Sequence, residues 1–414
     1  MMRLLLLIIV FISSLPLLSQ ANETIIDYSI NEFEPITLDV SQFPVLQGHY
    51  SHHVFIYRFI RNSWQAIPFQ IDFRNDAGEF EFGFSLEKII GANELISFMG
   101  TDLGEQVDSS DAFLQRYHHA ALCIHDKENG RDGCVYALID QQEALTSSYV
   151  DYVSYDPATD AITTQDFRLV FSQKKPMLIE DIHWWDNENN QYGEDVLDTM
   201  QLIHSGRFLG LFSFKKTQRD YFSRLIGVID GPVRVIRRTS NNVRIVFQLE
   251  APTVYMDYIV NVNSLYMNTL LNIPFSPGVF LSAIKTYSTM DWNNHSRIEI
   301  HHKGLSKPIT IDGIPGRDKE AFNGMEDVRI GVVSHEGQFY FSMNPLDNMP
   351  IGMYTYLKDD ALAKDALGGQ PGFFGNVGFL SDKWEQMESG NHRFVFKAVL
   401  GKSINEEHAY RWLR

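Results

Sequence analysis

Between Val228 and Val262 the chain reads VIDGPVRVIRRTSNNVRIVFQLEAPTVYMDYIVNV, and this stretch limits the fold more than any other. It is dense in Val, Ile, Tyr and Phe, side chains that fit a pleated, half-buried surface better than a helix. Three strand-like runs follow one another, Pro232–Arg238, Val243–Glu250 and Thr253–Val262. Gly231-Pro232 punctuates the start. Thr239-Ser240-Asn241-Asn242 reads as a turn, because Asn tolerates left-handed backbone and bonds its own main chain. The expected product is a hairpin followed by a third antiparallel strand, with a broad sheet at the centre of the molecule.

The flanking sequence repeats this grammar. Strands are expected over His52–Ile60 and Trp64–Phe73, separated by Arg61-Asn62-Ser63, and over Val328–Val333 and Gln338–Met343, closed by Ser334-His335-Glu336-Gly337. Phe80, Phe82 and Phe84 alternate, which would set three rings on one sheet face. Short helical stretches are expected at Ser85–Ile90, near Gln141–Ser148 and at Asp360–Leu367, the last within a glycine-rich loop. The fold class is therefore mainly β, an antiparallel sandwich or supersandwich with a smaller N-terminal β-domain. The domains are expected to be residues 22–155 and 156–414.

Residues 1–21 have the form of a cleaved secretory signal: Arg3, an apolar run from Leu4 to Ile12, then small residues at Ser19 and Ala21. No later apolar run approaches the roughly 18 residues needed to cross a bilayer, so a periplasmic or extracellular location is expected. Asp and Glu number 52 against 35 Lys and Arg, a balance that disfavours nucleic acid as a partner. The two cysteines, Cys123 and Cys134, flank a short loop that antiparallel pairing would place opposite one another, and in an exported protein this predicts a disulfide.

Gly231–Arg234 (GPVR) followed by YMDYIVNVNSLYMN is similar to a strand pair of galactose-mutarotase-like supersandwich domains. IPFQID at Ile67–Asp72 with NELISFMGTDLG at Asn93–Gly104 resembles a motif pair of secreted bacterial proteins. The resemblance implies a carbohydrate-facing fold and transfers no catalytic residue.

Two groups of residues suit a sugar ligand. His183, Trp184, Trp185, Asp186 and Tyr192 combine flat apolar rings with hydroxyl-binding polar groups. On a strand, however, adjacent tryptophans face opposite sides, so one can belong to the core. Arg234 and Arg238 share a face opposite Arg237 and could grip an acidic glycan, or pair with carboxylates of neighbouring strands. His204, His301, Tyr255, Tyr258 and Arg234 have chemistry suited to a polysaccharide lyase. Asp181, His183 and Asp186 carry donor atoms, but neither a metal site nor a cofactor is expected without a supporting motif. Binding of a carbohydrate or envelope glycan leads, with a lyase acting on an acidic glycan and a non-catalytic assembly partner of an envelope protein as alternatives.

Overall fold

The computed structural model describes residues 22–414 apart from 84–87, 129, 131, 143, 247–248, 294–296, 347–348 and 363–373. The expected signal at 1–21, most of the helices at Ser85–Ile90 and Asp360–Leu367, Phe84 and His295 thus lie outside the described residues. The chain is mainly β, and its sheets are antiparallel apart from one parallel pair, Asn22–Tyr28 beside His118–Asp126.

Residues 22–139 build a small sandwich. A five-stranded sheet packs on a three-stranded one made of Ile36–Asp39, Leu95–Phe98 and Phe69–Asp72, with Leu38, Ile56, Phe98, Leu122 and Val135 buried between them. Strands His118–Asp126 and Asp132–Ile139 pair so that Cys123 stands opposite Cys134, and the two form the expected disulfide. Near Gln141–Ser148 there is no helix among the described residues. Instead, the Asp140 carboxylate accepts the N–H groups of Gln142, Ala144 and Leu145 at 2.7–2.9 Å, which satisfies that backbone as a loop.

Three sheets make up the rest. A ten-stranded wide sheet runs from Tyr221–Asp230 through Val235–Val246, Val254–Val260, Ser264–Ile273, Gly390–Gly401 and Gln338–Pro345 to smaller strands at its far edge. One part of its inner face packs on the five-stranded sheet of Ser154–Asp195. Another part faces a narrow sheet ordered Phe212–Thr217, Leu197–Phe208, Leu281–Trp292, Asn376–Asp382 and Gly352–Lys358. The hairpin Arg329–Val333/Gln338–Pro345 closes at Ser334–Gly337 as expected, pairing Val333 with Gln338.

The opening stretch departs from its sequence reading in one respect. Thr239–Asn242 is not a turn: it lies inside a single strand, Val235–Val246, paired on one side with Tyr221–Asp230 and on the other with Val254–Val260. Asn241 bonds one side chain across the sheet and one on its own strand. Ser223 Oγ donates to Asn241 Oδ1 (2.7 Å), and Asn241 Nδ2 donates to Thr239 Oγ1 (2.9 Å), Asn241 and Thr239 both being buried. Burial of Thr239 and Asn241 with strand pairing has overridden local turn preference. The reversal falls instead at Gly231–Arg234. Nor do Phe80 and Phe82 lie in a strand; their rings cover Arg234 and Arg238.

Among the described residues no strand before Ile139 pairs with one after Ser154. Side chains join the regions instead, and they come from the two motifs noted in the sequence. Arg234 Nε donates to Asp72 Oδ2 (2.9 Å), the Arg234 N–H donates to Gln70 Oε1 (3.0 Å), and Gln70 Nε2 donates to Asp72 Oδ1 (2.6 Å). A Cβ at position 231 would stand 2.2 Å from Gln70 Oε1, so a side chain there would displace the Gln70 amide from its bonds to Arg234 and Asp72.

Candidate functional site

Where the wide sheet faces the narrow one, the interior is hollow. A cavity of about 280 Å³ separates them, whereas a close-packed interior leaves few voids larger than one water. Its walls follow from strand alternation, which turns every second side chain inward. On the narrow sheet Met200, Leu202 and His204 succeed one another, beside Ile284, Thr286 and Ser288. On the wide sheet Met267, Thr269, Leu271 and Ile273 do the same, beside Val254 and Met256. Six lining residues are methionines, Met177, Met200, Met256, Met267, Met343 and Met353. Unbranched thioethers adapt to ligands of varied shape. At one end the lining reaches the surface through Phe275 and Phe280, 44% and 39% exposed.

Several of the few polar groups in the wall are held by protein partners. The His204 ring lies between Thr286 Oγ1, 2.8 Å from Nδ1, and the Tyr221 hydroxyl at Nε2, so a side chain of each sheet closes this bridge. His204 keeps part of its surface on the cavity wall. Burial pulls its imidazole down to about 4, and pushes the Tyr221 phenol well above its usual range. Ser381 Oγ accepts the indole N–H of Trp384 (2.9 Å), and Lys216 lies 3.8 Å from Asp220. The surface left toward the void is mostly methyl, thioether and ring edge, with Thr269 and Ser288 as small polar points. Such a wall can hold a hydrocarbon chain and offers an ionic headgroup little.

The residues singled out in the sequence are spread over other parts of the molecule. Trp184 is 4% exposed, a core residue whose ring packs so closely on Gly337 that a Cβ there would lie 2.3 Å away. Trp185, its neighbour on strand Ile179–Asp186, faces the other side and meets Tyr192 edge to face with ring centroids 5.0 Å apart. His183 Nδ1 bonds the Gly193 carbonyl (2.9 Å). Asp186 accepts from Asn189 Nδ2 (2.6 Å), which holds its carboxyl below the usual range. Arg234 is taken up by Asp72, Arg238 by Asp257 (2.6 Å), and Arg237, fully buried, by Asp160 (2.9 Å). Arg237 does face opposite Arg238, as alternation requires.

The lyase set does not assemble either: the Tyr258 hydroxyl donates to the Met177 carbonyl in the core, Tyr255 points outward, and His301 lies 3.5 Å from Glu406. Among the described residues no three His, Cys, Asp or Glu side chains converge as a metal site would require. Only His204 connects the sequence candidates to the cavity. The signal that could have revealed the cavity is methionine at inward positions of several strands.

No protein-family model matches the chain, and no curated protein matches it. Among solved structures it is similar to an alpha-mannosidase from Enterococcus faecalis, with 7% identity, TM-score 0.47, and coverage of 93% of this chain and 44% of the mannosidase. It is also similar to a glycosyl hydrolase family 38 protein of Enterococcus faecalis, with 8% identity, TM-score 0.46, and coverage of 93% and 45%. The chain thus spans less than half the length of either. These neighbours are carbohydrate-active by name, but overlap this loose supports no inference about what the present chain binds.

Proposed function

We propose that this protein binds a molecule with a hydrocarbon chain, a fatty acid or acyl lipid, in the cavity between the wide and narrow sheets. One observation carries the reading: an interior void of about 280 Å³ with almost wholly apolar walls, open at Phe275 and Phe280. A void this size left empty forfeits the dispersion contacts of every side chain around it, and an apolar ligand restores them. Among the described lining residues His204 is the one imidazole, and burial lowers its pKa while both of its nitrogens are engaged. The reading is therefore carriage or sensing, without chemistry on the ligand.

Displacement of an environment-sensitive naphthalene fluorophore by dodecanoate tests it. Thr269→Trp, which fills the void, should weaken both ligands by about tenfold or more, because a closed cavity leaves an apolar chain no surface to bury. Unchanged affinities in that variant would place binding elsewhere.

A second reading is favoured by Trp185 and Tyr192. Their edge-to-face pair is half-buried beside the polar loop Asp186–Asn190, the composition a sugar ring stacks on, so a carbohydrate could be held there independently of the cavity. Loss of glycan binding in Trp185→Ala, with dodecanoate affinity retained, would establish it. Export to the periplasm or beyond is supported by the Cys123–Cys134 disulfide, which persists in oxidising compartments. A division near residue 155 is supported by the lack of strand pairing across it among the described residues.

A further inference from the structure

An apolar lip stands beside the mouth of the cavity. The turn joining strands Leu197–Phe208 and Phe212–Thr217 exposes Leu209, Leu211 and Phe212 by 54%, 80% and 53%; the connection into Leu281–Trp292 exposes Phe275, Val279 and Phe280. The Leu209 N–H donates to the Phe280 carbonyl (2.7 Å), joining the two loops into one rim. Phe275 and Phe280 line the cavity as well, so the lip is continuous with the proposed binding space.

The tip of this turn runs against what a hairpin ordinarily selects. Leu209 has φ +50° and Gly210 φ +70°, and the first of these positions normally takes Asn, Asp or Gly, which accept the left-handed region and are at ease in water. Leucine is unfavourable there on both counts. Clustered exposed apolar side chains of this kind mark an interaction surface.

Charge points to the occupant. In a chain of formal net charge −17, the outer face of the narrow sheet next to the lip presents Arg207, Lys215 and Lys285, all exposed. Lys215 and Lys285 both stand in register with Ser205, one on each neighbouring strand, and Arg207 lies just before the turn. Of the acidic groups nearby, Asp382 lies opposite Lys285, and Glu385 accepts the Ile284 N–H.

We infer that this lip docks on the surface of a bilayer containing anionic phospholipid. Its rings and leucines enter the acyl boundary while the three cations meet the headgroups, so that a chain passes between bilayer and cavity without crossing water. This inference rests on the cavity reading above, and the test separates the two.

Flotation of the full mature chain with phosphatidylcholine vesicles, with and without phosphatidylglycerol, measures the docking. Dodecanoate displacement in solution measures the cavity. Wild type should float with the anionic vesicles, weakly with the neutral ones, and less as salt rises. Leu211→Asp with Phe212→Asp, neither of which lines the cavity, should lower partitioning by about tenfold or more, given the apolar area lost, and leave dodecanoate affinity within about twofold. Lys215→Glu should cost about fivefold on anionic vesicles. Should the double variant misfold, Leu211→Trp at this open position serves instead: the emission of the introduced indole should shift to the blue on adding anionic vesicles. The inference is overturned if wild type fails to float, if the double variant floats equally, or if the emission of the Leu211→Trp variant does not move. It is also overturned if the double mutation abolishes a concentration-dependent dimer while neither protein floats, which would make the lip an interface between two copies. Loss of dodecanoate binding by wild type would instead sink the cavity reading and leave vesicle docking standing.

Discussion

Three strands of the wide sheet pass from a filled half of the interior to a hollow half, and the change occurs over a few residues. On Val254–Val260, Met256 faces the cavity, but Tyr258 packs edge to face on Phe171 at 5.1 Å. On Val235–Val246, Val243 and Asn241 line the void while Arg237 closes on Asp160 and the Phe171 ring. On Ser264–Ile273, Leu265 is fully buried and Met267 begins the cavity wall. Pairing among these three strands shows no register shift. The difference therefore lies in what faces the strands: rings and an ion pair interlock at one end, and flexible or short side chains fail to meet at the other. One sheet can thus carry a rigid core and a binding space, provided the filled half supplies the stability.

The largest effects should come from the filled half. Arg237→Ala leaves the Asp160 carboxylate buried without its partner and should cost about 3–5 kcal/mol in denaturant unfolding. A loss below ~1 kcal/mol would mean that this half tolerates water. Phe341→Ala, in contact with Phe339, Phe379 and Phe396, should cost about 3–5 kcal/mol. Met267→Ala, beside an existing void, should cost clearly less, about 1–2 kcal/mol, because fewer partner atoms are lost. Equal losses at the two positions would erase the contrast.

Acid should act on the hollow half through His204. Its folded-state value is lowered to about 4 from an ordinary 6.5, so the unfolded chain binds the extra proton between those values. Stability from this group is fully present above about pH 6.5 and declines as pH falls toward 4, by at most about 3 kcal/mol. His204→Phe should flatten that slope. A variant with the wild-type slope would show that the ring is hydrated. The smallest effect is expected at the wall itself: Ser288→Ala should change stability by less than ~1 kcal/mol, and a larger loss would reveal a polar role for the cavity.

Much of the strand content was legible because alternation and turn residues act locally. The Cys123–Cys134 register and the Ser334–Gly337 turn both follow from a few neighbouring residues. Thr239–Asn242 reads as a turn yet is not one, because the run is paired with a strand on each side and the buried Asn241 bonds Ser223 across the sheet, pairings that turn propensity does not register. The cavity is hidden in the sequence for a related reason. Met200-x-Leu202-x-His204 has the pattern of an ordinary core strand, and whether such side chains touch the opposite sheet depends on the distance between sheets, which no single strand encodes. The paired tryptophans stand out by composition, while alternation already requires one indole to face inward, and it is Trp184 that does so.

Methyl resonances of the methionines offer the most direct test of the hollow half as a binding site. In a dodecanoate titration of protein labelled at its methionine methyls, Met200, Met256, Met267 and Met353, which line the cavity, should shift together and saturably. Met99 and Met325, which do not line it, should stay in place. A saturable shift at Met99 or Met325 with the cavity methyls unmoved, or no shift at any of them, would contradict the assignment of the cavity as the ligand site.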